Sequence, residues 1–247
     1  MKKLSLYVFL VLIFSSVSSY AGGIRDYQIE GMSVGDSLLN FISEEEIKKS
    51  IKCVDYDVAL KFLEKRVEDV INGKKPELLW ILEHKPIFTA GTSYRENEIL
   101  SKTINLIKTS RGGKITYHGP GQKVVYFVLN LNERGKDIRK LIRYIEKCII
   151  QILKEYKIKS FNDKKNIGIW VNVNSKAKKV AAIGIRVKRW IAFHGFSINI
   201  SNNLEVYKNI VPCGIYNKGI TNLCSIKKNN YKYINQKIIN NFLRIFK

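Results

Sequence analysis

Arg111-Gly112-Gly113-Lys114-Ile115-Thr116-Tyr117-His118-Gly119-Pro120-Gly121-Gln122, with Tyr126 four residues on, is the stretch from which this chain is best read. So many glycines and polar groups in so short a run do not make a packing face. Gly112 and Gly113 let backbone approach a ligand closely or take positive φ. Gly119-Pro120-Gly121 forces a tight turn. Between them Ile115 and Tyr117 alternate with Thr116 and His118, the period of a short half-buried strand. Any one of these residues fits a plain glycine-rich hairpin, but the set as a whole does not.

Two further stretches accompany it in order. One is Lys179-Val180-Ala181-Ala182-Ile183-Gly184-Ile185-Arg186, running on to Phe193-His194-Gly195-Phe196-Ser197-Ile198-Asn199, and the other is Val211-Pro212-Cys213-Gly214-Ile215. Together the three resemble the motifs of the lipoyl(octanoyl) transferases, from about Val54 to the C-terminus. That resemblance implies an α+β architecture of the biotin/lipoate protein ligase kind, a mixed sheet carrying helices on one side. It also implies an acyltransferase that moves an octanoyl or lipoyl group from acyl carrier protein to a lysine of a lipoyl domain. The acceptors implied are the lipoyl domains of 2-oxoacid dehydrogenase complexes and the glycine cleavage H protein, with no cofactor, no metal, no nucleic acid and no membrane.

Composition agrees with a globular enzyme. The chain has 247 residues, 45% of them hydrophobic and 26% charged, enough for one domain with a proper core. Cys53, Cys148, Cys213 and Cys224 show neither a disulfide framework nor a zinc spacing, which suits a reduced compartment with one special thiol. The formal charge of +22 arises entirely in residues 53–247, because the first 52 residues carry equal numbers of basic and acidic groups. Such a surface attracts polyanions, nucleic acid or an acidic carrier protein alike. The Lys-, Ile- and Asn-rich composition of the whole chain accounts for the charge equally well.

The front end reads differently. Lys2 and Lys3, the apolar run Leu4–Phe14 and Ser19-Tyr20-Ala21 have the grammar of a secretory signal peptide over residues 1–21. Residues 22–52 are neutral, with Ser43-Glu44-Glu45-Glu46 as a capping box, and neither part resembles the transferases. Export conflicts with chemistry that needs a cytoplasmic, reducing space. We therefore expect a composite, a catalytic domain at 53–247 behind a foreign start, with Lys49–Val54 left to supply the first strand.

Periodicity predicts a helix from Tyr56 through Ile71 stopped by Gly73, and a strand at Leu78–Leu82. Thr89-Ala90-Gly91 reads as a loop and Glu96–Asn105 as a weakly defined connection. Strands follow at Ile115–His118 and Val124–Leu129. Asp137–Ile158 reads as a long helix burying Ile138, Leu141, Ile145, Cys148, Ile149 and Ile152. Ile167–Val173, Val180–Val187 and Ile191–Ile200 read as strands around a turn at Lys188-Arg189, and Ile234–Phe246 as a closing helix. Interspersed helices and hairpins argue α+β.

Acyl transfer from a thioester to an amine suits a cysteine thiolate, and only a small part of a free thiol is ionised at neutral pH. Cys213, between Pro212 and Gly214, lies in a loop able to present its side chain, and the resemblance places the acyl-accepting cysteine there. A nearby ammonium favours the thiolate and can shuttle the proton. Composition does not separate Lys176, Lys178 and Lys179; register within the motif selects Lys179. The resemblance makes Arg111, Gly112, Gly113, Lys114, Ile115, Thr116, Tyr117 and His118 a wall of the acyl site, with Ala182, Ile183, Gly184, Gly195, Phe196 and Ser197 as further substrate contacts. His118 and His194 read equally as site-shaping groups or satisfied core histidines, and His84 as holding a loop.

Two rivals stand beside this reading. An ATP-dependent lipoate or biotin ligase of the same fold would activate the acid as an adenylate and needs no nucleophilic cysteine. An exported, noncatalytic protein binding nucleic acid or membrane explains the charge and the front end but leaves all three motifs idle.

Overall fold

The computed structural model describes residues 53–246 apart from 102, 216 and 217, together with short extended pieces at Tyr7–Phe9, Gln28–Ile29 and Met32–Ser33. The signal-like run as a whole, the Ser43 capping box and Lys49–Lys52 lie outside the described residues.

Helix α1 spans Tyr56–Ile71 and ends where Gly73 takes φ +67. Strand β1, Leu78–Leu82, is buried at every position because the sheet is covered on both faces. Its alternation splits the core. Leu79 and Ile81 join a cluster with helices α2 (Ile138–Glu155) and α4 (Ile234–Phe246), while Leu78, Trp80 and Leu82 pack with Phe62, Leu63 and Val67 of α1. A single turn of helix, α3 (Leu223–Ile226), lies between α2 and α4 in the chain. Helices therefore lie on both sides of the sheet, not on one as expected. The reason is the apolar stripe of α1, which has no other surface on which to be buried.

After β1 come β2 (Ile87–Ala90), β3 (Leu106–Lys108), β4 (Ile115–His118), β5 (Gln122–Asn130), β6 (Phe161–Asn162), β7 (Ile169–Val173), β8 (Lys176–Lys188), β9 (Ile191–Asn199) and β10 (Gly219–Ile220). The main sheet runs β1-β5-β9-β8-β7-β6, antiparallel throughout. β10 adds to β8 in parallel, and Tyr7–Phe9 runs parallel beside β1. A small second sheet, β3-β2-β4, carries the glycine-rich stretch. The mixed α+β class holds.

Several local expectations need correction. Thr89-Ala90 belongs to β2, because pairing with β3 and β4 overrides the small-residue turn signal. The connection after it holds a short 3-10 turn, Glu96–Glu98, and the strand β3. Helix α2 is shorter than the periodicity suggests. Asp137 caps it by accepting the Lys140 amide at 2.8 Å, and it ends at Glu155. Ile138 is 40% exposed rather than buried, because it lines an open cavity instead of the core. Arg189 and Trp190, with φ 48 and 62, make the two-residue hairpin turn between β8 and β9. Of the first strand expected at Lys49–Val54, Val54 lies among the described residues and bridges His84 in parallel.

Candidate functional site

A cavity of about 490 Å³ opens where the two sheets meet. Its floor is the middle of β8 and β9, one wall is the loop leading into β4, and its rim includes the Pro212–Gly214 turn, the start of α2 and residues 165–167. The volume lies in the range of small-molecule sites.

The glycine loop is stitched to the chain that follows β2. Gly91, Thr92 and Ser93 donate their amides to the carbonyls of Lys114, Arg111 and Gly113 at 3.2, 3.0 and 3.1 Å. Gly113 takes φ +91, which disfavours any residue with a Cβ. Gly112 donates to the Ile185 carbonyl at 3.2 Å, laying the loop against β8. Arg111 is buried. Its Nη2 donates to the Thr89 carbonyl at 2.8 Å and to Thr89 Oγ1 at 2.7 Å, and its Nη1 to the Gly112 carbonyl at 3.2 Å. Burial works against its charge, and Tyr56 and Cys213 nearby work to keep it.

Of the stretch 111–118, the cavity takes Arg111, Gly112, Gly113, Lys114, Thr116 and His118. Ile115 and Tyr117 do not face it. They lie on the opposite side of β4, in a satellite core with Tyr207 and Ile210, where the Tyr117 ring sits 5.2 Å from Phe88. Strand alternation is the reason. Ala182, Ile183, Gly184, Gly195, Phe196 and Ser197 all line the cavity, together with Cys213 and Lys179.

Cys213 is half-buried and holds φ 57, ψ 17, a left-handed conformation rare for a residue with a Cβ. Gly214 follows at φ +65. Lys179 is buried on β8. Its Nζ donates to the Ile167 carbonyl at 2.9 Å and stands 4.9 Å over the Trp170 ring on β7. Gly168 makes room, since a Cβ there would come within 3.1 Å of the Lys179 stem. Among the described residues no carboxylate pairs with Lys179. Of the other thiols, Cys148 is sealed in the core, where burial pushes it up to about 12. Cys224 is exposed outside the cavity wall.

Three histidines are held neutral by burial. His118 and His194 are each lowered to about 3, with the Arg111 charge adding to the effect, and His84 is lowered to about 4. His118 Nδ1–H donates to Gln122 Oε1 at 2.6 Å. Gln122 Nε2 in turn donates to Asn199 Oδ1 at 2.8 Å and to the Tyr117 carbonyl at 3.2 Å. His84 Nδ1–H donates to the Val54 carbonyl at 2.9 Å, so its Nε2 accepts the Tyr126 hydroxyl at 2.8 Å. It fastens the start of α1 to the sheet, the loop-holding part expected of it. Tyr56 and Tyr126 add hydroxyls to the floor, both raised above the usual phenol value by burial.

Sequence reasoning left out Tyr56, Gln122 and Glu98. Gln122 closes the quoted stretch, so a polar residue straight after a tight turn was the available signal. Glu98 gave none, since it sits among charged neighbours and only the fold buries it to 1% exposure. Among the described residues no cluster of His, Cys, Asp or Glu is placed to hold a metal ion. Among them, too, no helix is long and apolar enough to cross a membrane.

Residues 55–245 match the lipoyl protein ligase A/B catalytic domain. The chain is 42% identical over 175 residues to an octanoyltransferase of Wolbachia sp. subsp. Brugia malayi (strain TRS), covering 70% of this chain and 85% of that relative. It is 43% identical over 189 residues to an octanoyltransferase of Anaplasma marginale (strain Florida), covering 76% and 87%. Among solved structures, a bi-partite lipoate protein ligase from Thermoplasma acidophilum superposes with TM-score 0.57 at 12% identity, over 72% of this chain and 75% of that one. A lipoate-protein ligase A bound with ATP gives TM-score 0.57 at 14% identity, over 69% and 73%. At such identities the structural likeness concerns the fold.

Proposed function

This chain belongs to the lipoyl protein ligase A/B catalytic-domain family, and from that premise we propose that it transfers an octanoyl or lipoyl group from acyl carrier protein to the lysine of a lipoyl domain, through a thioester on Cys213. It is an acyltransferase, as its octanoyltransferase relatives are at over 40% identity. The observation that carries the finer reading is the placing of Cys213 and Lys179 on one cavity. The thiol sits on a strained turn at its rim, and the ammonium is buried in its wall with no acid among the described residues to neutralise it.

In the first half-reaction the Cys213 thiolate attacks the carbonyl carbon of the octanoyl thioester. A new C–S bond forms, the old one breaks, and the phosphopantetheine thiolate leaves with a proton from Lys179. The acyl chain lies along Ile183, Ile185 and Phe196 and reaches the cavity between backbone at Gly112, Gly184 and Gly195. In the second half the ε-amine of the lipoyl-domain lysine attacks the acyl-enzyme, losing a proton to Lys179, and Cys213 departs as thiolate. The neutral histidines shape the floor and leave the positive field to Lys179 and Arg111. A reduced space, the cytoplasm, is where such a thiol and its carrier-bound substrate meet. The acceptors in this reading are the lipoyl domains of 2-oxoacid dehydrogenase complexes and the glycine cleavage H protein.

Incubating the protein with octanoyl-acyl carrier protein alone tests it. One octanoyl mass should appear on the chain and be released by hydroxylamine, and Cys213→Ser should abolish both thioester and turnover. Transfer by Cys213→Ser near the wild-type rate overturns the covalent route. Acylation from free octanoate that requires ATP would instead make the chain a ligase.

A further inference from the structure

We infer that the ion pair of buried Glu98 with half-buried Lys114 is the clamp that holds the Cys213 turn in its left-handed shape, so that Glu98 is a positioning residue for acyl transfer. The inference rests on Cys213 being the nucleophile.

A cysteine at φ 57 is strained and stays so only where its surroundings over-determine it. Within the turn, Gly214 donates to the Val211 carbonyl at 3.0 Å and Ile215 to the Pro212 carbonyl at 3.2 Å. Those two bonds suit many turns and do not select this one. The selection comes from outside. On the approach to the turn, the Val211 amide donates to the Glu98 carbonyl at 2.7 Å, and Leu100 and Ser101 donate to the Asn209 carbonyl at 2.9 and 3.2 Å. Ile99 and Ile210 form an antiparallel bridge in the same place. Residues 98–101 thus strap down the chain that enters the turn.

On the exit side, Gly214 rests against the ion pair itself. A Cβ at 214 would overlap the Lys114 side chain and come within 2.7 Å of Glu98 Oε1. Glu98 therefore grips both flanks of Cys213, by its carbonyl before it and by its carboxylate, through Lys114, after it. Lys114 is the last residue of the glycine loop before β4, so the pair ties the loop that walls the cavity to the turn that carries the thiol. Glu98 has 2% of its side chain exposed, and a carboxylate so buried is strongly disfavoured without its cation. The pair therefore stays closed and the turn cannot relax toward the right-handed region, which would swing the thiol off the cavity rim. Because the two charges cancel, the pair acts on the position of Cys213 rather than on its charge.

Four variants of the full chain test this: Glu98→Gln, Lys114→Met, the two together, and the exchange Glu98→Lys with Lys114→Glu. The readouts are kcat and KM for octanoyl transfer, the rate of thioester formation on Cys213, and the melting temperature. Each single change should lower kcat by about tenfold to a hundredfold, the scale of a misplaced reacting group, with KM little changed. The double variant should be no worse than the worse single, because both break one interaction. The exchange should recover part of the loss. The double variant leaves no buried charge unpaired, so it decides the question if Glu98→Gln does not fold. Wild-type kcat in the double variant overturns the clamp. So does a faster Glu98→Gln beside a slower Lys114→Met, which would mean that the pair works through its field on the thiol. Absence of any thioester on wild-type Cys213 would instead sink the nucleophile reading, a separate failure.

Discussion

Gly184 on β8 and Gly195 on β9 stand directly opposite one another in the sheet, and a side chain would be tight at the first and excluded at the second. The reasons differ. A Cβ at 195 would overlap the Val125 carbonyl of the neighbouring strand, whereas a Cβ at 184 would sit 3.2 Å from the Gly112 carbonyl and 3.5 Å from the Arg111 side chain. The first is a packing constraint within the sheet, and the second sets how closely the glycine loop approaches the floor of the site.

Gly195→Ala is accordingly expected to destabilise the fold by about 1–3 kcal/mol, as overpacking does, with a lower melting temperature. Gly184→Ala should melt close to wild type and lose kcat/KM, because it shifts the loop rather than the sheet. Thermal melts and steady-state kinetics on both variants check this. Equal melting losses in the two would remove the distinction.

Lys179→Met tests the buried ammonium. Its stem packs beside Gly168 and its head over Trp170, packing that an unbranched apolar side chain largely keeps. The change should leave stability near wild type and slow iodoacetamide labelling of Cys213 across the neutral range. An unchanged labelling profile would mean that another group favours the thiolate, with Arg111 the next cation on the cavity wall.

The buried histidines predict acid sensitivity. In the folded chain His118 and His194 are lowered to about 3 and His84 to about 4, while in the unfolded chain each titrates near about 6.5. Between these values the unfolded state binds protons that the folded state refuses, so stability rises with pH across that window. The contribution is complete above about pH 6.5 and is lost as pH falls through the folded values. Melting temperature should fall steadily from pH 7 to pH 4.5. His194→Asn should flatten the slope, since His194 Nε2 is buried without a partner among the described residues and asparagine tolerates its φ of 66. An acid slope unchanged in that variant would assign the sensitivity to other groups.

Much of this arrangement was legible in the residues. The closing helix Ile234–Phe246 and strand Leu78–Leu82 read with their observed bounds, because long amphipathic or fully apolar runs state their own period. The residues lining the cavity came from the resemblance of the three motifs to the transferases, not from periodicity. What stayed hidden depends on distant partners. Thr89-Ala90 looks like a turn until β3 and β4 pair with it. Ile138 has the right spacing to be buried, but it stands at the cavity rim. Ile115 and Tyr117 share a motif with cavity residues and yet face away, which the alternation along 115–118 already contained. Glu98 is charged among charged residues, and only tertiary packing puts it beneath Gly214.

Deleting residues 1–52 should leave a folded, active transferase, whereas deleting through Ile71 should not. The family match begins at residue 55, and the excess positive charge begins at the same boundary. Val54 is already stitched to the sheet: its amide donates to the Glu83 carbonyl at 2.8 Å, and its carbonyl accepts the Lys85 amide at 3.2 Å and His84 Nδ1–H at 2.9 Å. A chain beginning at Cys53 keeps all three bonds. It keeps α1 as well, whose Phe62, Leu63 and Val67 cover Leu78, Trp80 and Val128. Removal of α1 would bare that face and cost far more than the whole stability of an ordinary domain leaves to spare. The shorter cut takes away the parallel pairing of Tyr7–Phe9 along β1, so a modest drop in melting temperature is expected, and a chain starting at Ser43 shows whether the intervening residues restore it. Activity and melting of the 53–247, 43–247 and 72–247 chains decide the matter. An inactive, unfolded 53–247 chain that the 43–247 chain does not improve would make residues 1–42 part of the enzyme and end the composite reading.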